Sequence, residues 1–275
     1  MTSIKYHYLC INNLDFLLFG VVSVFSLIKC GVSPTDIIVS VDEGVFKGQY
    51  CRDLETINVC INVLPPSWGS KVFAIDIARR KWPADIYVQI DCDTVFKNME
   101  CVNKLIEDNI SISPVSYFEC NVEALQTFSV RSTCYHSGFC PKEEAISEYN
   151  NLINFFELAI GCDINKFRQW LKNDIKIWLW GTVFIISSSI FSTEFWRTAR
   201  AYDIVSRCDE TIFYVSKFKT GLKTHFINNF QHKQVSNLKD DLDSDKTPRL
   251  IHYAGIEAKK ISLPYILELY NSRKL

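Results

Sequence analysis

The sequence carries no surplus of either charge. Thirty Lys and Arg stand against 31 Asp and Glu, a formal net charge of −1. Without a global field, nothing draws the chain to nucleic acid or an anionic membrane, so any anion it binds is held by a local site. It also lacks an uninterrupted run of about 20 apolar residues, the length a membrane-spanning helix needs. The stretch Leu14 to Ile28 comes nearest, but it is short and contains Asp15. It has neither a basic leader nor a small-residue cleavage site, so no signal peptide is expected and the segment reads as a helix buried against a sheet. There is no Cys-x-x-Cys pair and no Cys/His group with zinc spacing among the eleven cysteines. An odd count excludes complete intrachain pairing. These residues read as buried thiols of a reducing, cytoplasmic compartment.

A hydrophobic content of 48% and an aromatic content of 13% are ample for a packed core. The 275 residues suit one large α/β domain. No internal repeat or low-complexity linker divides the chain, so residues 1–275 are taken as one unit. Its first half alternates. Ile4 to Ile11 reads as a strand, Leu14 to Lys29 as a helix closed near Gly31, and Asp36 to Val41 as a strand. Thr56 to Val63 reads as another strand, Ser67 to Lys81 as a helix, and Ile86 to Ile90 as a buried strand. Such alternation predicts a mostly parallel, Rossmann-like sheet with helices on both faces. The second half is less regular. Glu100 to Asp108 reads as a helix, Ile110 to Phe118 as a strand, Cys120 to Pro141 as a loop-like excursion and Glu143 to Leu171 as largely helical. One or two strands within Lys176 to Ser187, helices over Thr193–Ser206 and Asp209–Lys219, and a charged loop over Lys239–Lys246 follow.

The chemistry concentrates where the fourth strand stops, at Asp91-Cys92-Asp93. Two carboxylates buried one residue apart are costly unless a cation or a proton relieves them. Hard divalent cations favour oxygen ligands and commonly bridge to phosphates. In open α/β sheets, ligands bind beyond the carboxyl ends of the strands. Cys10-Ile11-Asn12-Asn13 and Asp42-Glu43 lie at such ends too, although Asn and Asp there also serve as plain turn formers.

With these features in order, the sequence resembles the GT-A glycosyltransferases, nucleotide-sugar-dependent enzymes with an Asp-x-Asp motif. The resemblance implies an α/β GT-A-like domain. Residues 1–118 would form the nucleotide-sugar half, and residues 119–275 an acceptor half with a smaller sheet and helical excursion. It implies that Asp91 and Asp93 bind Mn²⁺ or Mg²⁺, which grips the diphosphate of the donor. The late segment His252-Tyr253-Ala254-Gly255 is similar to the His-x-x-Gly ending of glycogenin-like members. By that likeness His252 is the third metal ligand and Gly255 allows close approach to the diphosphate. Trp180-Gly181 would line the sugar and acceptor pocket. Asp209 and Glu210 would orient hydroxyls or supply a general base. They equally suit the first turn of a helix, where acidic side chains favour the dipole. Lys71 would offset diphosphate charge, and Cys10, Asn12, Asn13, Asp42 and Cys92 would lie around the nucleotide. The expected activity is sugar transfer from a nucleoside diphosphate sugar, UDP by default, to a hydroxyl on a glycan, protein or small molecule.

Two other readings use the same residues. Asp91-Cys92-Asp93-Thr94-Val95 also matches the haloacid-dehalogenase phosphatase signature, with Asp91 as nucleophile and Asp93 as acid/base. That motif normally ends the first strand, whereas several strand-like segments precede it here. In a non-catalytic nucleotide-sugar-binding module, the acidic pairs would be turn and cap residues only.

Overall fold

The structure, a computed structural model, describes residues 2–11, 14–46, 48–65, 70–111, 115–118, 165–167, 169–170, 183–203, 209–223, 225–227, 232–234, 250–252 and 256–272. Four strands whose side chains are apolar on one face at every second position make its centre. They are β1 (Ile4–Cys10), β2 (Ile37–Asp42), β3 (Cys60–Leu64) and β4 (Ile86–Ile90). They pair in parallel in the order β3-β2-β1-β4. The sheet then continues through β7 (Val183–Ser187), β6 (Val115–Phe118) and β8 (His225–Ile227). Of these seven strands, β7 alone is antiparallel to its neighbours. A second, three-stranded sheet has the order β5-β10-β9, formed by β5 (Thr94–Phe96), β10 (Leu250–His252) and β9 (His232–Gln234). The mostly parallel sheet with helices on both sides and a smaller sheet beside it is the expected α/β class.

The apolar face of the main sheet carries Tyr6, Tyr8 and Cys10 of β1, Val39 and Val41 of β2, and Val88 and Ile90 of β4. Covering it are α1 (Leu14–Lys29), α3 (Gln49–Thr56) and α5 (Glu100–Ser111), through residues such as Leu17, Val21, Leu54 and Val102. The other face is crossed by a polar chain. Lys81 Nζ, from α4 (Lys71–Lys81), donates to Asn62 Oδ1 at 2.9 Å, and Asn62 Nδ2 donates to Ser40 Oγ at 2.8 Å. Ser40 Oγ lies 2.7 Å from His7 Nε2, and His7 Nδ1 hydrogen-bonds Gln89 Oε1. Gln89 can only accept through that oxygen, so Nδ1 carries the proton and Ser40 donates to Nε2. All four strand residues are buried.

Further helices are α2 (Glu43–Phe46), α6 (Glu194–Asp203), α7 (Asp209–Thr220) and α8 (Ile256–Ser272). The expected helices at Leu14, Glu100, Thr193 and Asp209 are present within a few residues. Two expectations are corrected. The strand expected from Thr56 begins only at Cys60, because Gln49–Thr56 is a helix burying Cys51 and Leu54 one turn apart. Asn58, at φ 64°, turns the chain between them in the left-handed region that Asn tolerates. The strand expected from Ile110 is Val115–Phe118, since α5 runs on to Ser111. The expected loops at 120–141 and 239–246, and nearly all of the helical stretch at 143–171, lie outside the described residues. Among the described residues no helix is long and apolar enough to cross a membrane. Cys10, Cys30, Cys51, Cys60 and Cys92 are free thiols.

Candidate functional site

β4 is the strand that aims chemistry outward. All five of its residues are buried between parallel β1 and antiparallel β7, and Asp91 is the first residue beyond it. Asp91-Cys92-Asp93 then turns the chain into β5 of the second sheet. The motif therefore sits at the seam between the two sheets. Asp93 is only 5% exposed and Cys92 is buried with it. Thr94 is fully buried, and its hydroxyl finds no hydrogen-bond partner.

Two lysines meet the two carboxylates. Lys71, the first residue of α4, forms an ion pair with Asp91 Oδ1. Its placement follows from Ser70, the N-cap, whose side chain accepts from Phe73 N at 3.0 Å and fixes where the helix starts. Lys259, in the first turn of α8, reaches Asp93 Oδ2 at 2.6 Å. Burial, the largest single influence, would lower the Lys259 ammonium's pKa, but the negative groups around it, Asp93 foremost with Cys92 and Asp91, together turn the net shift upward. An aromatic face backs each ammonium: Lys71 Nζ is 5.6 Å from the Phe184 ring centroid, and Lys259 Nζ is 4.6 Å from that of Phe16.

Backbone register brings two further segments to this rim. Val183, the first residue of β7, pairs with Ile90, next to Asp91. His252, the last residue of β10, pairs with Thr94, next to Asp93. The chain thus returns from far along the sequence to place the histidine's backbone beside the acidic turn. Cys10 closes the same rim from β1. Its thiol hydrogen-bonds with that of Cys92, and this contact, with burial second, pushes the Cys10 pKa well up.

The other expected residues divide as follows. Asp42 ends β2, and its Oδ1 accepts from Val45 N at 3.0 Å, the turn-forming role that Asp takes at strand ends. Asp209 and Glu210 are the first two residues of α7. That helix is tied back towards the acidic turn through Phe213, one turn on, whose ring centroid is 5.0 Å from that of Phe184 beneath Lys71. Asn12, Asn13, Trp180, Gly181 and Gly255 lie outside the described residues. Lys259 was not anticipated. The Lys259-Lys260 pair shortly after Gly255 is its only trace in the sequence, and nothing there says which carboxylate it meets.

The residues at this turn suit a hard divalent cation. Two carboxylates and an orphaned buried hydroxyl on Thr94 supply the oxygen-rich chemistry that Mn²⁺ accepts, and the backbone of His252 lies in register with Thr94. Among the described residues no three His, Cys, Asp or Glu side chains converge on one point.

No protein-family model matches the sequence, and no curated protein matches it. Solved structures do share its fold. The bifunctional glycosyltransferase WbbM, in its apo form, matches with a TM-score of 0.53 at 13% identity over 98% of this chain and 51% of its own. This chain therefore spans about half of that one. The galactosyltransferase LgtC, bound to donor and acceptor sugar analogues, matches with a TM-score of 0.53 at 12% identity over 98% of this chain and 95% of its own. CMP:2-keto-3-deoxy-manno-octonic acid synthetase, complexed with CTP, matches with a TM-score of 0.52 at 9% identity over 98% and 100%. At such identities the likeness is one of fold. The chain has a GT-A-like fold, shared by nucleotide-sugar glycosyltransferases and nucleotidyltransferases.

Proposed function

We propose that this chain transfers a sugar from a nucleoside diphosphate sugar, a UDP-sugar by default, to an acceptor hydroxyl. One observation carries the reading: Asp91 and Asp93, the start of β7 and the last residue of β10 converge on one rim of the sheet. In this reading Asp91 and Asp93, with His252, hold Mn²⁺ or Mg²⁺ at the donor's diphosphate. When bound, the ion supplies Lewis-acid stabilisation of charge developing on the leaving diphosphate. Lys71 adds a positive charge on the same side. Cys10, Asn12, Asn13 and Asp42 border the nucleotide, and Gly255 lets the backbone approach the diphosphate. Trp180 and Gly181 line the sugar and acceptor pocket. Asp209 or Glu210 orients the acceptor hydroxyl or takes its proton.

Two rivals fit less well. A nucleotide-sugar pyrophosphorylase shares the α/β plan, but it usually needs a glycine-rich, basic loop after the first strand to hold triphosphate. Cys10 to Asp15 contains neither glycine nor a cation. A haloacid-dehalogenase phosphatase needs its acidic motif after the first strand, whereas here it follows the fourth in chain order.

A thermal-shift panel of UDP-, GDP- and dTDP-sugars with Mn²⁺ tests the proposal. One nucleotide class should raise the melting temperature by mass action. Asp93→Ala should abolish metal-dependent donor hydrolysis or transfer. If that variant keeps full activity in chelator, the reading fails.

A further inference from the structure

Both acidic side chains of the turn are withdrawn from water, with 16% of Asp91 and 6% of Asp93 accessible. So are their partners, at 17% for Lys71 and 15% for Lys259. Ion pairs at this depth are not loosened by salt as surface pairs are. Removing one partner leaves a buried charge without compensation. The lysines come from distant parts of the sequence, at the starts of α4 and α8, and each ammonium lies over an aromatic ring. They are built into the turn. Among the described residues, two ammoniums stand against the two carboxylates.

A divalent cation brought to the same carboxylates would compete with the ammoniums for oxygen and repel them at close range. We propose that Lys71 and Lys259 are the resident counter-ions of Asp91 and Asp93, and that a divalent cation enters this turn by displacing them. The inference builds on the reading above only in taking Asp91 and Asp93 as the metal-binding carboxylates. It assigns Lys259 a positioning role: it holds Asp93 in place until the ion arrives, and it keeps the affinity of the free protein for the ion low.

The test is calorimetric titration of Mn²⁺ alone into the full chain, as wild type, Lys259→Met and Lys71→Met, with melting temperatures recorded with and without Mn²⁺. Each variant is expected to bind Mn²⁺ at least about tenfold more tightly than wild type. Each should also melt lower than wild type without the ion and recover with it. Unchanged or weaker Mn²⁺ binding in the variants overturns the proposal. So does a gain that survives adding Asp93→Asn to Lys259→Met, because the ion would then lie elsewhere. Should Lys259→Met show no cooperative melt, the Lys71→Met comparison decides alone. Titration of UDP-glucose into wild type with Mn²⁺ runs alongside, with GDP- and dTDP-sugars after it. If no nucleotide sugar binds, the transferase reading falls while the Mn²⁺ comparison stands.

Discussion

At Gly20 one hydrogen atom decides whether α1 can lie across the acidic turn. A Cβ there would come within 2.5 Å of Cys10 Sγ, a clash with a short, fully buried side chain, while Cys92 Cβ at 3.5 Å would be in ordinary contact. Gly20→Ala gains up to about 1 kcal/mol of helix propensity. Overpacking of this kind costs roughly 1–3 kcal/mol. The expected result is net destabilisation, read as a lower urea midpoint, and its recovery when Cys10→Ala is added. A stabilised single variant would show that the helix does not press on the thiols. At this scale the sequence was legible where chemistry is local. An apolar run that stops at two carboxylates marks Asp91 and Asp93 without any knowledge of the fold. Asp42 is a turn former as well as a strand end, and both descriptions were open before the Val45 contact settled its hydrogen bond. Lys259 was hidden because an ion pair across the whole chain leaves no periodicity.

Between elements, the informative feature is the polar chain that stitches β3, β2, β1 and β4 together. It requires a neutral imidazole, since Ser40 donates to one ring nitrogen and Gln89 accepts from the other. Burial lowers the His7 pKa to about 4, against a smaller upward effect of the Gln89 hydrogen bond. The unfolded chain takes up its proton nearer pH 6.5. Stability from this residue is therefore complete above about pH 6.5 and drains away as pH falls towards 4. The loss is on the order of 3 kcal/mol. Denaturant titrations across that range should show this slope in wild type and a flatter one in His7→Gln. Equal slopes would remove His7 as the cause. The strands themselves were readable as short apolar, largely β-branched runs that stop at turn residues. The chain along their other face was not, because one polar residue per strand looks like noise until register aligns Asn62, Ser40, His7 and Gln89. The helix at Gln49–Thr56 was likewise missed because two buried positions one turn apart are too few to stand out against a β-branched run that follows directly.

For the molecule as a whole, α8 acts as the fastener. It packs Ile266 against Leu18, Phe19 and Val22 of α1 and Val95 of β5. Tyr270 donates to Asp53 of α3 and meets Tyr50 edge-on at 5.0 Å. Lys259 neutralises Asp93. Deleting residues 256–275 should cost more than about 3 kcal/mol, because it exposes that apolar seam and strips a buried carboxylate of its partner. Chemical denaturation measures it, and a truncated chain with the full-length midpoint would contradict the role given to α8. The parallel half of the fold was legible because each βαβ unit is contiguous in sequence. The second sheet was not, because β5 finds its partner β10 only after most of the chain has passed. That separation matters on the ribosome. The nascent polypeptide can lay down β1 to β4 early, but the acidic turn waits, β5 without β10 and Asp93 without its lysine, until residues 250–259 have been made. A product terminated before residue 250 would hold the parallel scaffold without the second sheet's pairing and without Lys259 at Asp93.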